Sequence, residues 1–289
     1  MRKFKISERV ARKMKELGSM GQDGTKEAPE AAAEAKDAAP DAVPEKMENL
    51  RVTSRTDVGL VRKNNQDAVI MGSGLMGIAD GMGGHRGGET ASAGARDGLI
   101  RLLAGKEPSR EILENAVKEV NLQLWNQQAE DEALSGMGTT LSVLWPAGDR
   151  MLIAHVGDSR VYLLREGKIR QVTRDHSMVA DMVRKGLLTE DQAAVHPMRN
   201  YITRAVGTEP EIQVDLLGME RQTGDRWLVC SDGLHGLLEK EELRKLMAGE
   251  DPEEAADQMV REALDRGGRD NISLVLVCDD GPAGGEVAE

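Results

Sequence analysis

The sequence predicts an α+β fold in which antiparallel sheets carry helices on their outer faces. Two observations lead there. Apolar runs of strand length recur between residues 51 and 278, yet they do not alternate one by one with helices. Strands come first, then two long helical stretches, a run of strands, and further helices before a last strand. Strict strand–helix alternation would have indicated a doubly wound parallel sheet, whereas grouped strands indicate antiparallel neighbours. The second observation is composition: aromatics make up only 2% of 289 residues, so Leu, Val, Ile, Met and Ala must build the core.

The chain opens with residues 1–18, where Phe4, Val10, Met14 and Leu17 recur at near-helical spacing amid seven basic and two acidic residues. Such a basic helix suits an anionic membrane surface, a partner or the protein itself. The stretch up to residue 49 then turns acidic and rich in Ala, Pro and Glu. It is expected to be a flexible linker, because it cannot bury enough apolar surface to offset its ordering entropy. The folded domain is expected over 50–280, with 281–289 as a tail. Strands are predicted at 51–57, 67–71, 75–79, 138–145, 151–156, 160–165, 168–173, 211–217, 226–230 and 272–278. In 88–104 the residues Ala91, Ala95, Leu99 and Leu102 form one helical face. In 109–130 Ile112, Ala116, Val117, Val120 and Leu124 do the same. Two more helices are predicted at 239–248 and 252–266, the latter opening with an Asp251 cap and Pro252 at the first helical position. Residues 174–200 are polar, helix-like and long for a connection, which marks either a flap over a site or a plain surface insertion.

Bulk properties exclude several classes. A formal net charge of −12 and six aromatic residues leave neither the basic footprint nor the stacking platforms of a nucleic-acid binder. No apolar run approaches the length of a spanning helix, and the N-terminus lacks the apolar core of a secretory signal. Cys230 and Cys278 each sit inside an apolar strand-like run and are expected to be small buried hydrophobes. A cytoplasmic monomer is the simplest expectation.

One stretch draws the rest of the chain around it. The apolar run 75–79 delivers Asp80 into Gly81-Met82-Gly83-Gly84-His85, after which a helix begins. A hairpin turn would be followed by another alternating strand; here side-chain-free backbone surrounds a carboxylate and leaves room for an ion or a phosphate. Asp232 repeats that context after the strand 226–230. Asp158 closes another strand, while Asp67 and Asp270 open two more. Taken singly, Asp158-Ser159 and Asp270-Asn271 suit ordinary turns, and solvation at loop tips is the default for such acids. Gathered together, they could not all stay ionised without a cation. Oxygen ligands without His or Cys suit Mg²⁺ or Mn²⁺, and a pair of such ions can bind a phosphate and activate water.

The motifs Arg62-x-x-Asn65-Gln66-Asp67, Ala79-Asp80-Gly81-Met82-Gly83-Gly84, Gly138-Thr139-Thr140, Gly157-Asp158-Ser159-Arg160, Ser231-Asp232-Gly233-Leu234 and Arg269-Asp270-Asn271 follow one another in that order. Together they resemble the type 2C metal-dependent Ser/Thr protein phosphatases, the PPM family, in its bacterial form, over roughly residues 51–279. The resemblance implies a sandwich of two central antiparallel sheets flanked by helices, with a helical flap at 174–200. It implies that Asp80 bridges two Mn²⁺ or Mg²⁺ ions and that the Gly81 carbonyl completes one of them. Asp232 and Asp270 would bind the other ion, and Asp67 would hold a water of the centre. Asp158, with Asp232, matches positions that bind a third ion in bacterial members. Arg62 would grip the phosphate, as a planar guanidinium fork suits two phosphate oxygens. Many eukaryotic members carry a His directly after Asp-Gly as the general acid; Met82 stands there in this chain, as it often does in bacterial members, and metal-bound water could supply the proton instead.

The implied activity is hydrolysis of phosphoserine and phosphothreonine in proteins by direct attack of metal-activated water. The implied partners are phosphorylated proteins, including a Ser/Thr kinase and its substrates. A cysteine-nucleophile phosphatase would need Arg six residues after its Cys, but Gly236 and Gly284 stand there. A catalytically weak phosphoprotein-binding module is the rival from another class, although no core acid has been lost. A phosphatase dedicated to one anti-sigma antagonist is the rival within the family.

Overall fold

A computed structural model describes residues 49–83 and 86–281. The basic segment 1–18, the acidic stretch up to residue 48, Gly84, His85 and the end of the tail lie outside the described residues. Strands β1 (Leu50–Asp57), β2 (Asp67–Gly72) and β3 (Leu75–Met82) lead into helices α1 (Gly87–Leu103) and α2 (Arg110–Glu130). A run of strands follows: β4 (Gly138–Thr139), β5 (Leu141–Ala147), β6 (Arg150–Val156), β7 (Arg160–Arg165) and β8 (Lys168–Gln171). After the short helices α3 (Met178–Arg184) and α4 (Glu190–Ala194) come β9 (Asp215–Glu220) and β10 (Arg226–Cys230). Helices α5 (Asp232–His235), α6 (Lys240–Met247) and α7 (Pro252–Asp265) precede β11 (Ile272–Asp279).

The strands form two antiparallel sheets, ordered β1-β11-β10-β7-β8 and β2-β3-β5-β6-β9, with β4 paired to β3. Side-chain alternation, period two along a strand, decides the layering. Met76, Ile78, Leu144 and Ile153 of one sheet meet Leu163, Trp227, Val229, Val275 and Val277 of the other between the sheets. The alternate residues face outward: Leu75, Ala79, Val143 and Ala154 pack under α1 and α2, while Leu274, Leu276 and Cys278 pack under α6 and α7. Both faces of these central strands are therefore buried, so β11 reads as one apolar run with all eight residues buried. The result is four layers, helix–sheet–sheet–helix.

The helices follow their sequence signals. Ser109 caps α2 by accepting the Ile112 amide at 3.2 Å, and Asp251 caps α7 by accepting the Glu253 amide at 2.9 Å with Pro252 next. Ala91, Ala95, Leu99 and Leu103 are the buried stripe of α1, with Leu102 only partly buried; in α2 Leu113 is buried where Ile112 was expected. Several strand boundaries differ, and β3 runs on to Met82 where the strand was expected to stop at residue 79. The span 138–145 is interrupted at Thr140, whose side chain is used elsewhere, and the strand at 168–173 stops at Gln171. The span expected at 211–217 pairs only from Asp215, which stands opposite His155, one residue before the end of its partner β6. Residues 174–200 form an excursion whose ends meet: Ser177 bridges to Ile202, and the Thr203 amide donates to the His176 carbonyl at 2.8 Å. No helix among the described residues is long and apolar enough to cross a membrane.

Candidate active site

Register places the first two acids. In the β2–β3 pair Asp67 stands directly opposite Asp80, and opposed side chains on one face have Cβ atoms only about 5 Å apart. Like charges there are unfavourable, so the pairing needs compensation. Thr140 ties Asp80 to the third acid: its hydroxyl lies 3.0 Å from the Asp80 amide and 2.8 Å from the Ser159 hydroxyl, while its amide donates to the Asp80 carbonyl at 2.8 Å. Asp158 thus sits on the β6–β7 turn next to Ser159, which is tied through Thr140 to Asp80 in β3.

The other sheet contributes from β10 and β11. Ser231, fully buried before Asp232, donates its hydroxyl to Asp67 Oδ2 at 2.9 Å and accepts the Ser273 amide at 3.0 Å. Asn271, beside Asp270, accepts the Gln66 amide at 2.8 Å and donates to the carbonyls of Val58 and Asn64. Small buried polar side chains therefore lace both sheet ends together. Arg62 donates to Asp270 Oδ2 at 2.6 Å. Gly81 is hemmed in by backbone: a Cβ there would stand against the Gly88 carbonyl and 2.6 Å from that of Gln66, so only glycine fits.

Electrostatics show that the acids share one field. Burial, then the charges of Asp67, Asp232, Asp158 and Asp270, holds the Asp80 carboxyl well above the usual carboxylate range. Burial likewise pushes Asp67 and Asp158 up to about 7, and Asp232 up to about 6 with Asp270 adding to it. The Asp270 hydrogen bond pushes the Arg62 guanidinium further into its charged range, with Asp232 and Asp80 adding to it. Among the described residues, two buried carboxylate oxygens, Asp67 Oδ1 and Asp158 Oδ1, find no hydrogen-bond partner. Native proteins rarely leave such atoms unpaired unless function uses them. Among the described residues, no three Asp, Glu, His or Cys side chains are gathered tightly enough to hold one ion by themselves. Arg62 on Asp270 and Ser231 on Asp67 already occupy one oxygen of each acid.

The Asp158 turn is also fastened to the excursion 174–203. His176 accepts the Gly157 amide on Nδ1 at 3.0 Å, and its own amide donates to the Gly157 carbonyl at 2.7 Å. Arg160 forks Asp175 at 2.8–3.0 Å, and His235 donates from Nε2 to the Asp158 carbonyl at 3.0 Å. Burial lowers the His235 imidazole to about 3, so it is a neutral brace. The cysteines are both buried, and burial pushes the Cys230 thiol up to about 12, far from a nucleophile.

The family model for protein phosphatase 2C matches residues 59–276. The chain belongs to the protein phosphatase 2C family. It is 40% identical over 230 residues to the serine/threonine protein phosphatase PstP of Mycobacterium tuberculosis, covering 78% of this chain and 44% of that protein. The chain therefore spans less than half the length of that relative. It is 38% identical over 239 residues to the serine/threonine phosphatase stp of Listeria monocytogenes, covering 77% of this chain and 93% of that one. Among solved structures, the catalytic domain of PstP in complex with two manganese ions is 38% identical, with a TM-score of 0.74, over 79% of this chain and 97% of that one.

Within this protein phosphatase 2C chain, Asp67 opens β2, Asp158 and Asp270 stand in the turns after β6 and before β11, and Asp232 opens α5 just after β10, whereas Asp80 lies inside β3, which runs on to Met82. Sequence reasoning quoted Thr140, Ser231 and Asn271 inside motifs but assigned them no task, and it passed over His176 and His235. A small polar residue beside an acid at a buried strand end was the available signal. The partners of those side chains come from distant segments, which no local pattern reveals.

Proposed function

We propose that this chain is a metal-dependent phosphoprotein phosphatase acting on phosphoserine and phosphothreonine. The observation that carries it is the shared end of the two sheets, where five strand-end acids act on one another and two carboxylate oxygens are buried without partners. These residues fit hard cations. The donors are oxygens, the acids are costly to ionise unaided, and ions such as Mg²⁺ keep several waters and need only one or two carboxylates each. Asp80 and the Gly81 carbonyl, Asp67, Asp232 and Asp270 would hold two ions, Mn²⁺ or Mg²⁺, and Asp158 with Asp232 a third. When bound, they would neutralise the acids and the phosphate and lower the pKa of water.

The chain's own residues do the rest. Arg62 is half-exposed and bonds Asp270 through Nη2, which leaves donors of its fork for phosphate oxygens. Ser231, Asn271 and Thr140 hold the acids in place, so little reorganisation is needed as charge develops. The Met82 thioether, half-buried at the end of β3, has no proton to give the leaving alcohol. Catalysis then rests on charge neutralisation and in-line positioning, without a phosphoenzyme.

The same proposal covers what lies around the site. Residues 50–280 form the catalytic domain, 281–289 are a tail, and 1–49 serve localisation or substrate choice. The partners are phosphorylated proteins of a signalling system, including a Ser/Thr kinase and its substrates, met by a cytoplasmic monomer. The names of the relatives, which are serine/threonine phosphatases, support phosphorylated proteins as the substrates. The test is hydrolysis of p-nitrophenyl phosphate and phosphothreonine peptides with Mn²⁺ or Mg²⁺, in EDTA, and by Asp80→Asn. Metal-dependent turnover lost in both is expected; full activity in excess chelator, or in Asp80→Asn, overturns the assignment.

A further inference from the structure

Arg62 does not stand alone on its loop. Leu60 and Val61, immediately before it, are 68% and 66% exposed, the only adjacent pair among the exposed large hydrophobics of the described residues. The loop that carries them is held at several points. The Asn271 side chain donates to the carbonyls of Val58 and Asn64 at 2.9 and 3.0 Å, clamping both ends. The Gly59 amide donates to Asp57 Oδ1 at 2.7 Å with Gly59 at φ +76°, and the Leu60 amide donates to the Gly268 carbonyl at 2.7 Å. Asn271 neighbours Asp270, so the clamp belongs to the site itself. Two apolar side chains are thus presented beside Arg62, on a backbone whose ordering cost is met before any ligand arrives.

Charge marks the same place. The molecule is strongly acidic, yet this loop and the one it rests on carry Arg62, Lys63 and Arg269, all exposed. Arg62 is paired to Asp270, whereas Lys63 and Arg269 make no ion pair or side-chain hydrogen bond among the described residues. An apolar step flanked by unpaired cations matches a segment that is apolar next to its phosphate and acidic beyond it.

We infer that Leu60 and Val61, flanked by Lys63 and Arg269, form a specificity shelf for phosphoprotein segments. It takes an apolar side chain adjacent to the phosphorylated residue and an acidic one further along. This deepens the phosphatase assignment above and rests on it. The occupant is an extended substrate segment: Arg62 takes its phosphate, the shelf covers its apolar neighbour, and the cations steer its acid.

The test uses the full chain with Mn²⁺, p-nitrophenyl phosphate, and two phosphothreonine peptides. One peptide carries Leu beside the phosphothreonine and Glu beyond it; the other carries Ser and Lys there. Wild type is expected to favour the Leu/Glu peptide in kcat/KM by about tenfold or more, the scale of one well-placed apolar contact. Val61→Ser and Leu60→Ser should each remove most of that preference while leaving p-nitrophenyl phosphate turnover unchanged. Lys63→Glu with Arg269→Glu should reverse the acidic part, and salt should weaken it in wild type. Val61→Ser guards against a folding effect at Leu60, whose Cγ lies over Gly268. Equal wild-type rates on both peptides, or variants that lower all three substrates in parallel, overturn the shelf alone. Turnover of p-nitrophenyl phosphate with neither peptide cleaved overturns the phosphoprotein assignment and the shelf with it.

Discussion

Asp158→Asn isolates the cost of crowding acids at a sheet end. The carboxyl is buried, its Oδ1 has no partner, and burial, then Asp232 and Asp175, pushes it up to about 7. In the unfolded chain it titrates near 3.9. Between those values the folded state holds a proton that the unfolded state has released, so stability without metal falls as pH rises through 7. Integrating that difference makes Asp158 cost the chelated protein roughly 2–3 kcal/mol more at pH 8 than at pH 5. Asparagine resembles the protonated acid and cannot ionise. In EDTA, Asp158→Asn should therefore already be the more stable protein at pH 5, by roughly 1–2 kcal/mol, and its lead over wild type should widen by roughly 2–3 kcal/mol by pH 8. His155 and His235 are held neutral by burial and titrate in the opposite sense, but they are common to both proteins and cancel in the difference. Urea unfolding followed by the fluorescence of Trp145 and Trp227, both fully buried, reads it directly. A wild-type/variant gap that stays constant across that range, or a variant weaker at pH 8, would refute the burial cost.

Other expectations address the scaffold and the domain boundary. Ser231→Ala removes a hydroxyl shared between Asp67 and the Ser273 amide; it should destabilise by about 2–3 kcal/mol in urea unfolding. Gly81→Ala, with no space for a Cβ between the Gly88 and Gln66 carbonyls, should cost about 3 kcal/mol or more and depress soluble yield. Asp225→Ala strands Arg165, which pairs with the buried Asp225 at 2.6 Å far along β7 from the acids; a loss of about 3–5 kcal/mol with unchanged turnover per folded molecule is expected. Deleting residues 1–48 should leave metal-dependent hydrolysis of p-nitrophenyl phosphate nearly unchanged, and a truncated protein that unfolds would move the domain boundary. Hydrolysis of a chiral phosphate ester should invert configuration at phosphorus, and retention would signal a phosphoenzyme.

Much of this protein is determined by local pattern. Grouped strands require antiparallel sheets, helical periodicity marks α1 and α2, and Asp232 is placed where an apolar strand gives way to a helix, with Asp80 near the end of another strand. Those features depend on neighbours a few residues away, so periodicity and turn chemistry reveal them. The β9 start at Asp215 and the break at Thr140 are different in kind: a strand begins and ends where its partner does, and the partner lies elsewhere in the chain. The site shows the same division. Asp67 and Asp80 lie 13 residues apart, a short hairpin that sequence suggests. That Asp158 shares their field, that Ser231 reaches Asp67 across 164 residues, and that Asn271 clamps the Arg62 loop across more than 200 are decided by the packing of two sheets. The reason is physical: a carboxylate's pKa, an orphaned oxygen and a clamped loop are properties of the surroundings. Those surroundings exist only once distant strands have been brought side by side.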